Sequence, residues 1–301
     1  MQVYYEGAHS VLIKPRGSDD THLVNLWERW GLIPSSCPVI APPDVKTNTV
    51  EVYGANDVID LTEFPRGFPI YGRRTGSLDF YVDGSDPAYD WAAVYTGIQQ
   101  HLHGKQFDLI LTDDPAYYYS GRLSVNDWKC DKNWSTISID YDFAPYKLSR
   151  QTMLEDWEWN LFNFDTDIIP DIAQAHFKDI AVSGTKASTV FTPDLMGYMP
   201  FTPKFVLGSA YTGNFAMELE FRNNVPDDVD VDSNLSKYPY KSATVKFTNG
   251  ATVSDNPSIT FAATYPNTQC QIRYVTTKVS IVDQNPSDPF SFSIDFRQGR
   301  F

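Results

Sequence analysis

The feature of the sequence that most constrains the fold is an alternation of apolar and polar residues. After Gly104, the side chains of Phe107, Leu109 and Leu111 fall on one face of an extended chain, and the residues between them fall on the other. The phrase DDPA at residues 113–116 then favours a turn, and YYYSGRLSV resumes the extended pattern. This pattern predicts a β-hairpin.

A third strand is predicted in WSTISIDYDF, residues 134–143. Ile137, Ile139 and Tyr141 lie on one side of it, and Trp134 lies on the other side with the intervening polar residues. Because short turns join only antiparallel neighbours, the three strands predict an antiparallel sheet.

Two segments of the first half show helical spacing instead. In SDPAYDWAAVYTGIQQHLHGK, Asp86 is the predicted N-cap, Pro87 suits the first turn, and Gly104 follows the end. The apolar face of this helix comprises Trp91, Val94, Tyr95, Ile98 and Leu102. A second helix is predicted over residues 21–30.

The composition changes near FAPYKLSR, where Pro145 disfavours continuation of the strand. We therefore expect two domains, residues 1–148 and 149–301, each large enough for its own core. Short extended runs separated by turn residues follow the boundary: ASTVF, KFVLGS, FAMELEFR, SATVKF, SITFAA, QIRYV and FSIDF. The predicted fold is mainly β, with an N-terminal β-sandwich that carries one packed helix and a β-hairpin, and a second β-sandwich after it.

The charge of the chain argues against nucleic-acid recognition. Its 24 basic and 38 acidic residues leave a net charge of −14. The densest basic spots, Arg73 with Arg74 and Lys129 with Lys132, are too sparse to neutralise a row of phosphates. The N-terminal residues lack the apolar core of a signal peptide and no apolar stretch has the length of a bilayer span, so we expect a soluble protein made in a cytoplasm.

Cysteine and histidine spacing predicts no metal site. Cys37, Cys130 and Cys270 are far apart and belong to no CxxC pair, so we expect reduced, structural thiols rather than a disulfide framework or a zinc site. His101 and His103 close the predicted helix, where residues two apart do not share a face. We expect them to act as cation-capable groups near the last helix carbonyls.

The adjacent acids Asp113 and Asp114 raise the question of catalysis. Two carboxylates act as acid and base when different environments drive their pKa values apart, usually on separate strands that face a cleft. Neighbouring residues of one strand point to opposite faces, and Asp-Asp-Pro-Ala is ordinary turn chemistry. We therefore interpret the pair as part of a turn.

The run Tyr117-Tyr118-Tyr119 has two interpretations. Aromatic faces stack on sugar rings, which would make the run a saccharide-binding ledge. Alternation places two of the tyrosines on one face and the third on the other, which favours a strand with a core face and an interface face.

The stretch PDDVDVDSN places three acids at alternate positions, as at the opening of a calcium loop: Asp228, Asp230 and Asp232. Ser233 and Pro239 stand where such a loop needs its turn glycine and closing glutamate, so residues 227–232 are predicted as a solvated loop, with calcium as the alternative. No GxSxG, HExxH, GxGxxG or P-loop motif occurs. The sequence therefore predicts no catalytic, cofactor-binding or metal site.

Several phrases in a fixed order resemble the N-terminal domain of phage distal tail proteins. They are NLWERWGLIPSSCPVIAPPDVKTNTVEV, YGANDVIDLTE, YGRRTGSLDFYV, HLHGKQFDLILTDDPAYYYSGRLSVNDWKCD and ISIDYDFAPYK, which cover nearly all of residues 21–147. DLMGYMPFTPKFVLGS and the closing FSIDFRQGRF are similar to the galectin-like β-sandwich that follows in that family. By this resemblance, HGK opens the hairpin, DDP turns it and YYYSGRL is the return strand.

The resemblance implies a structural virion protein rather than an enzyme. It implies a homohexameric ring of N-terminal domains, single or stacked, as the baseplate hub at the tip of a siphophage tail, assembled in the bacterial host cytoplasm. The implied partners are other copies of itself, the tail tube protein and the tail-associated hub protein, with no cofactor. The galectin-like domain would project outward as a platform for receptor-binding proteins or as a contact to host saccharide. The acidic charge suits a ring that lets DNA pass without gripping it.

Two other interpretations stay open. The chain could be a carbohydrate-binding module that attaches to a cell wall, with its tyrosines and tryptophans as sugar platforms. A glycosidase is the third interpretation, and it rests only on the abundance of acids.

Overall fold

The structure is a computed structural model that describes residues 9–54, 56–64, 69–83, 90–131, 134–152, 154–155, 176–180, 182–183, 186–189, 199, 204–208, 215–221, 241–248, 250–254, 277–282 and 290–301. The chain divides into two compact units, Met1–Leu148 with Phe301, and Ser149–Arg300. Strands dominate both units, and the prediction of a mainly β fold is confirmed.

The strands of the first unit are β1 Val11–Pro15, β2 Val24–Asn25, β3 Leu32–Pro34, β4 Thr49–Glu51, β5 Val58–Asp60, β6 Arg74–Asp83, β7 Lys105–Leu111, β8 Tyr117–Lys129 and β9 Trp134–Phe143, with β10 Lys147–Ser149 at the boundary. Its helices are the 3₁₀ helix η1 Asp20–His22 and the α-helices α1 Leu26–Trp30 and α2 Trp91–Leu102. The main sheet has the strand order β2-β1-β7-β8-β9-β6-β3, and β4 pairs with β5 in a separate two-stranded sheet.

The predicted hairpin and third strand are confirmed. β7 pairs antiparallel with β8, and β8 pairs antiparallel with β9. Burial alternates along β9, where Ile137, Ile139 and Tyr141 are buried. Phe107 through Leu111 are all buried, so β7 is covered on both faces, including the face of Asp108. There the buried carboxylate of Asp108 accepts a hydrogen bond from the backbone N–H of Gly17 at 2.9 Å.

Helix α2 begins later than the sequence predicted. Its N-cap is Asp90, whose carboxylate accepts a hydrogen bond from the backbone N–H of Ala93 at 3.2 Å. The prediction of Asp86 as N-cap was therefore wrong, because the aspartate next to Trp91 reaches the free N–H groups of the first turn.

The apolar face of α2 is only partly as expected. Val94, Ile98 and Leu102 are buried in the core of the unit. Trp91 and Tyr95 pack against that core but remain partly exposed, and their rings stack on each other with centroids 5.5 Å apart. The N-terminal end of the helix therefore contributes less burial than its spacing predicted.

The helix predicted over residues 21–30 was wrong in its first half. Val24 and Asn25 pair instead with β1, and only α1 is α-helical. The side chain of Asn25 accepts a hydrogen bond from the N–H of Trp27 at 2.9 Å, so this residue ends the strand and caps the helix. Leu26 and Trp30 are buried, which anchors the short helix to the core.

One apolar core joins the two ends of the main sheet. Val11 and Ile13 of β1 belong to the same buried cluster as Leu32 of β3 and Val82 of β6. Because β1 and β3 lie towards opposite ends of the strand order, the sheet must curve around this core. The loops that follow β3 are thereby brought close to the ends of β1 and β7.

The described strands of the second unit are β11 His176–Ile180, β12 Val182–Ser183, β13 Lys186–Thr189, β14 Lys204–Leu207, β15 Phe215–Phe221, β16 Lys241–Phe247, β17 Thr277–Val282, β18 Phe290–Asp295 and β19 Gly299–Arg300. They include a three-stranded sheet of order β11-β18-β14 and a five-stranded sheet of order β12-β13-β17-β15-β16, both antiparallel. Alternate residues are buried, as in Phe205 with Leu207 and Phe292 with Ile294. The predicted strands SITFAA and QIRYV lie outside the described residues.

Candidate functional site

The acidic pair Asp113 and Asp114 lies in the turn between β7 and β8. The N–H of Asp114 donates to the carbonyl of Leu111 at 3.0 Å, and the N–H of Tyr117 donates to the carbonyl of Asp114 at 3.3 Å. These two hydrogen bonds close the turn that the DDPA phrase predicted.

The two carboxylates of this turn have different partners. Asp114 pairs with the ammonium of Lys147 at 2.6 Å, where both side chains are largely buried. Asp113 instead lies 2.7 Å from the Nδ1 atom of His9, in an exposed position. Since the two carboxylates face different groups, they do not form the facing acid and base that glycoside hydrolysis needs.

The tyrosine run divides as alternation predicted. Tyr117 and Tyr119 are buried, and Tyr118 is only half-buried. Burial raises the pKa of Tyr119. The ammonium of Lys147 lies over the Tyr117 ring at 4.6 Å, and the guanidinium of Arg74 lies over the Tyr119 ring at 5.5 Å. Two of the three rings are therefore core residues held by cations, and they form no exposed ledge.

The basic spot of Arg73 and Arg74 makes contacts within the fold. Arg74 is buried and donates to the carbonyls of Pro145 at 2.8 Å and Ala41 at 3.0 Å, while burial lowers its pKa. Arg73 pairs with the Asp142 carboxylate. Sequence spacing did not distinguish these two arginines, because only the tertiary fold surrounds one of them with carbonyl oxygens.

His101 differs from its prediction. Its ring lies against the rings of Trp30 and Phe107, with centroid distances of 5.2 and 5.8 Å. Partial burial lowers the pKa of His101, and the charges of Lys105 and Arg29 lower it further. These surroundings disfavour the cation that was expected at His101, because aromatic rings and cations surround it.

His103 holds the end of α2 to the sheet. Its Nδ1 atom accepts a hydrogen bond from the backbone N–H of Val125 in β8 at 3.1 Å. The lone pair of an imidazole nitrogen accepts this hydrogen bond. The two histidines of the HxH pair are thus engaged in different structural contacts.

Three side chains of metal-ligating types meet where no sequence pattern predicted them. His9 precedes β1, Cys37 follows β3, and Asp113 lies in the turn after β7. Their ligand atoms all lie within 4.8 Å of one another, and all three residues are exposed. Loss of hydration raises the pKa of the Cys37 thiol, and the neighbouring Asp113 carboxylate raises it further. Sequence spacing could not find this group, because its members are separated by 28, 76 and 104 positions.

A second unpredicted feature is the arm, defined here as residues 45–64 around the sheet of β4 and β5. All six residues of its two strands are exposed. Several of its apolar side chains face solvent: Val45, Val50, Val52, Tyr53, Val58, Ile59 and Phe64. A grouping of exposed apolar side chains is a feature of surfaces that bind a partner.

A third surface carries exposed aromatic rings. Trp128 and Trp134 are about half exposed, and Tyr81 contacts Trp134 edge-on with ring centroids 6.2 Å apart. Trp128 also lies 5.4 Å from Tyr95. Aromatic rings that pack against neighbours and expose one face to solvent can bind either another protein or a saccharide.

Some predicted features lie outside the described residues. These are the acidic loop at 227–232, with its calcium alternative, and Cys270. Cys37 and Cys130 are free thiols, as expected, but both are exposed rather than buried in the core. No helix in the described part of the chain combines the length and apolar character needed to cross a membrane.

No protein-family model matches the chain, and no curated protein does. Among solved structures, the chain is similar to the crystal structure of the SPP1 Dit (gp 19.1) protein, described as a paradigm of the hub adsorption apparatus in phages that infect Gram-positive hosts. The match has 14% identity and a TM-score of 0.49, and it covers 96% of this chain and 98% of that one.

Proposed function

We propose that the chain is a structural virion protein that forms a homohexameric ring at the tip of a siphophage tail. The ring joins the tail tube protein to a tail-associated hub protein, after assembly in the bacterial host cytoplasm. The second unit is a galectin-like outer domain that serves receptor-binding proteins or contacts host saccharide. Support comes from the ordered phrases of residues 21–147 and from the exposed surface of the first unit.

The arm is the observation that carries this proposal. A two-stranded sheet is marginally stable in water by itself, and this one has no described third strand. Val50 pairs across the arm with Ile59, and both side chains are about half exposed. Phe64 at its base is 74% exposed. An arm of this composition gains stability when another chain covers it, and we assign that role to the next copy in the ring.

Ring closure follows from the asymmetry of this contact. The arm of one copy docks on a different surface of its neighbour, so each copy offers one donor and one acceptor surface. Heterologous contacts of this kind close into rings when the rotation between copies divides a full turn. The net charge of −14 per chain is consistent with a lumen that repels DNA rather than retaining it.

The test is the mass of the full chain in solution, compared between two valine variants. Val50→Glu places a charge in the proposed contact, whereas Val39→Glu changes an exposed valine outside the arm. We expect six-chain rings by light scattering and negative-stain images for wild type and Val39→Glu. Burying an unpaired carboxylate should weaken each contact of Val50→Glu by at least about 2 kcal/mol, roughly thirtyfold.

Two outcomes would overturn the ring proposal. The first is a strictly monomeric wild type at high concentration, and the second is rings of Val50→Glu that are as stable as those of Val39→Glu. Tight, salt-sensitive retention of DNA by the rings would separately contradict the role of the lumen.

A carbohydrate-binding module is the second candidate, favoured by the exposed Trp128 and Trp134. It predicts that a screen of cell-wall glycans finds a ligand for the full chain, and that Trp134→Ala weakens it. Phe64→Ala, which removes an exposed ring from the arm, is the matched control. Glycan binding by a monomer would favour this candidate, and rings without glycan binding would favour the hub. Neither candidate involves chemistry, and turnover of a cell-wall glycan by the wild-type chain would contradict both.

A further inference from the structure

The group formed by His9, Cys37 and Asp113 converges on one point rather than forming a chain of proton transfers. The Sγ atom of Cys37 lies 3.6 Å from Nδ1 of His9 and 3.5 Å from Oδ2 of Asp113. The same Oδ2 lies 2.7 Å from the same Nδ1. In a catalytic triad the nucleophile and the acid engage opposite nitrogens of the imidazole ring. Here both approach one nitrogen, which is the arrangement that a shared cation requires.

We propose that His9, Cys37 and Asp113 form a binding site for one zinc-class transition-metal ion. One thiolate, one imidazole and one carboxylate are ligands that Zn²⁺ takes in proteins. Calcium and magnesium are disfavoured at this site, because they bind oxygen ligands.

The distances fit a tetrahedral ion closely at two edges. Zinc bonds of about 2.3 Å to sulfur and about 2.0–2.2 Å to nitrogen and oxygen place sulfur about 3.6 Å from either other ligand atom in a tetrahedron. The two sulfur distances are 3.6 and 3.5 Å. The third edge, 2.7 Å between Nδ1 and Oδ2, must open to about 3.4 Å. Rotation of the exposed Asp113 carboxylate provides this opening.

The backbone holds His9 and Asp113 in register. Ser10 follows His9 in the chain and Thr112 precedes Asp113, and two hydrogen bonds join these neighbours. The carbonyl of Ser10 accepts one from the N–H of Thr112 at 3.1 Å and one from the hydroxyl of Thr112 at 3.0 Å. Ser10 is itself buried, and the next residue pairs with β7. Two of the three ligands are therefore positioned before any ion binds.

Separate contacts position the other parts of the site. The N–H of Ser35, two residues before Cys37, donates to the carbonyl of Asp79 in β6 at 2.9 Å. Among the described residues, His9 is the one non-glycine residue with a positive φ, 59°. Histidine is one of the residues that tolerate this conformation, which here directs the ring towards the other two ligands.

The three side chains leave one tetrahedral position for water. The side chains of His9 and Asp113 are 54% and 42% exposed, and a cleft of about 260 Å³ opens beside Cys37. On binding, the S–H bond of Cys37 breaks, its proton passes to water, and the thiolate bonds to the ion. The ion then ties together three segments that are distant in the chain, so it should stabilise the first unit.

This inference does not depend on the proposed ring, and its test uses the metal ion alone. The full chain carries Cys130→Ser and Cys270→Ser, so that Cys37 is the one remaining thiol. It is reduced with a phosphine, stripped of metal and titrated with Co²⁺. We expect one Co²⁺ per chain, with thiolate-to-cobalt charge-transfer absorption and the visible bands of tetrahedral cobalt. Zn²⁺ should then displace Co²⁺ and abolish both, because it binds such sites more tightly.

The matched control is the reverse variant, Cys37→Ser with Cys130 and Cys270 intact, which should show no charge-transfer band. Asp113→Asn should keep the band and weaken Co²⁺ binding at least about tenfold, and His9→Gln should do the same. Zn²⁺ should raise the Tm of the chain that retains Cys37 and leave that of Cys37→Ser unchanged. The metal site would be wrong if the charge-transfer band were absent when Cys37 is the sole thiol, or if it persisted in Cys37→Ser. His9 and Asp113 would then be an exposed ion pair beside a thiol. Unchanged affinity in both Asp113→Asn and His9→Gln would equally overturn the site.

Discussion

Gly121 lies within the YYYSGRL stretch of β8, at a close approach to β9. It pairs with Phe107 on one side and Phe143 on the other. A Cβ atom at this position would overlap the carbonyl oxygen of Asp142, and it would lie 2.7 Å from Cα and 2.8 Å from Cδ1 of Phe143. Two of these three atoms are backbone atoms of β9. A side-chain rotation therefore cannot relieve the clash of Gly121→Ala.

The expected magnitude follows from two opposing effects. Overpacking a well-packed site costs about 1–3 kcal/mol, and the upper end applies here because the spacing of β8 and β9 must widen. Replacing glycine also restricts the unfolded chain, which returns about 0.4–1 kcal/mol. We expect Gly121→Ala to lower the free energy of unfolding of the first unit by about 2–2.6 kcal/mol, a large share of a typical domain's total of about 5–15 kcal/mol.

The assay is urea unfolding of the full chain, followed by tryptophan fluorescence. With an m-value of about 2 kcal/mol per molar, the midpoint of the first unit should fall by about 1 M or more. Gly72→Ala is the matched control, because the nearest atom to its added Cβ is the carbonyl oxygen of Asp44 at 3.4 Å, an ordinary contact. That variant should stay within about 0.5 kcal/mol of wild type. If Gly121→Ala behaved like Gly72→Ala, the close approach of β8 and β9 would be wrong.

Three further substitutions test the burial and the charges of the first unit by the same unfolding measurement. Ile98→Ala should lower the free energy of unfolding by about 2–5 kcal/mol because Ile98 is fully buried. Trp91→Ala should lower it by less than half as much, and equal losses would contradict the partial exposure of Trp91. Asp114→Asn should cost about 1–3 kcal/mol by leaving Lys147 without its carboxylate, and Asp131→Asn, whose pair with Lys129 is largely exposed, should cost less than about 0.5 kcal/mol. The pKa of His101 is lowered in the folded chain, so its contribution to stability is present above its ordinary value of 6.5 and is lost as the pH falls below it. The urea midpoint of unfolding should therefore fall less in His101→Gln than in wild type when the pH is lowered from above 6.5 to below it. An equal fall in both proteins would mean that other groups cause the loss of stability.

Local patterns predicted the main elements because periodicity records which face of a segment is apolar. The hairpin of β7 and β8, the alternation along β9 and the helix α2 follow from residues that are close in the sequence. The predictions failed where a distant segment competed. Leu23, Leu26, Trp27 and Trp30 have helical spacing, yet Val24 and Asn25 pair with Ile13 and Leu12 because β1 offers unpaired backbone groups.

The candidate sites were less predictable than the fold, since they depend on contacts and exposure that only the folded chain decides. No strand was predicted within residues 45–64, and the exposure of the arm depends on which surfaces the rest of the unit leaves uncovered. In the sequence, Arg74 belongs to a basic pair with Arg73, whereas in the structure it donates hydrogen bonds to backbone carbonyl oxygens.

By itself, the sequence determined the mainly β class, the turn at DDPA and the division of the tyrosine run between two faces, because backbone geometry and side-chain alternation act over a few residues. Tertiary structure alone decided that His9, Cys37 and Asp113 meet, because the pairing of β1 with β7 and the curvature of the sheet bring together residues up to 104 positions apart. No local pattern records such a meeting, since each of these residues is an ordinary member of its own loop.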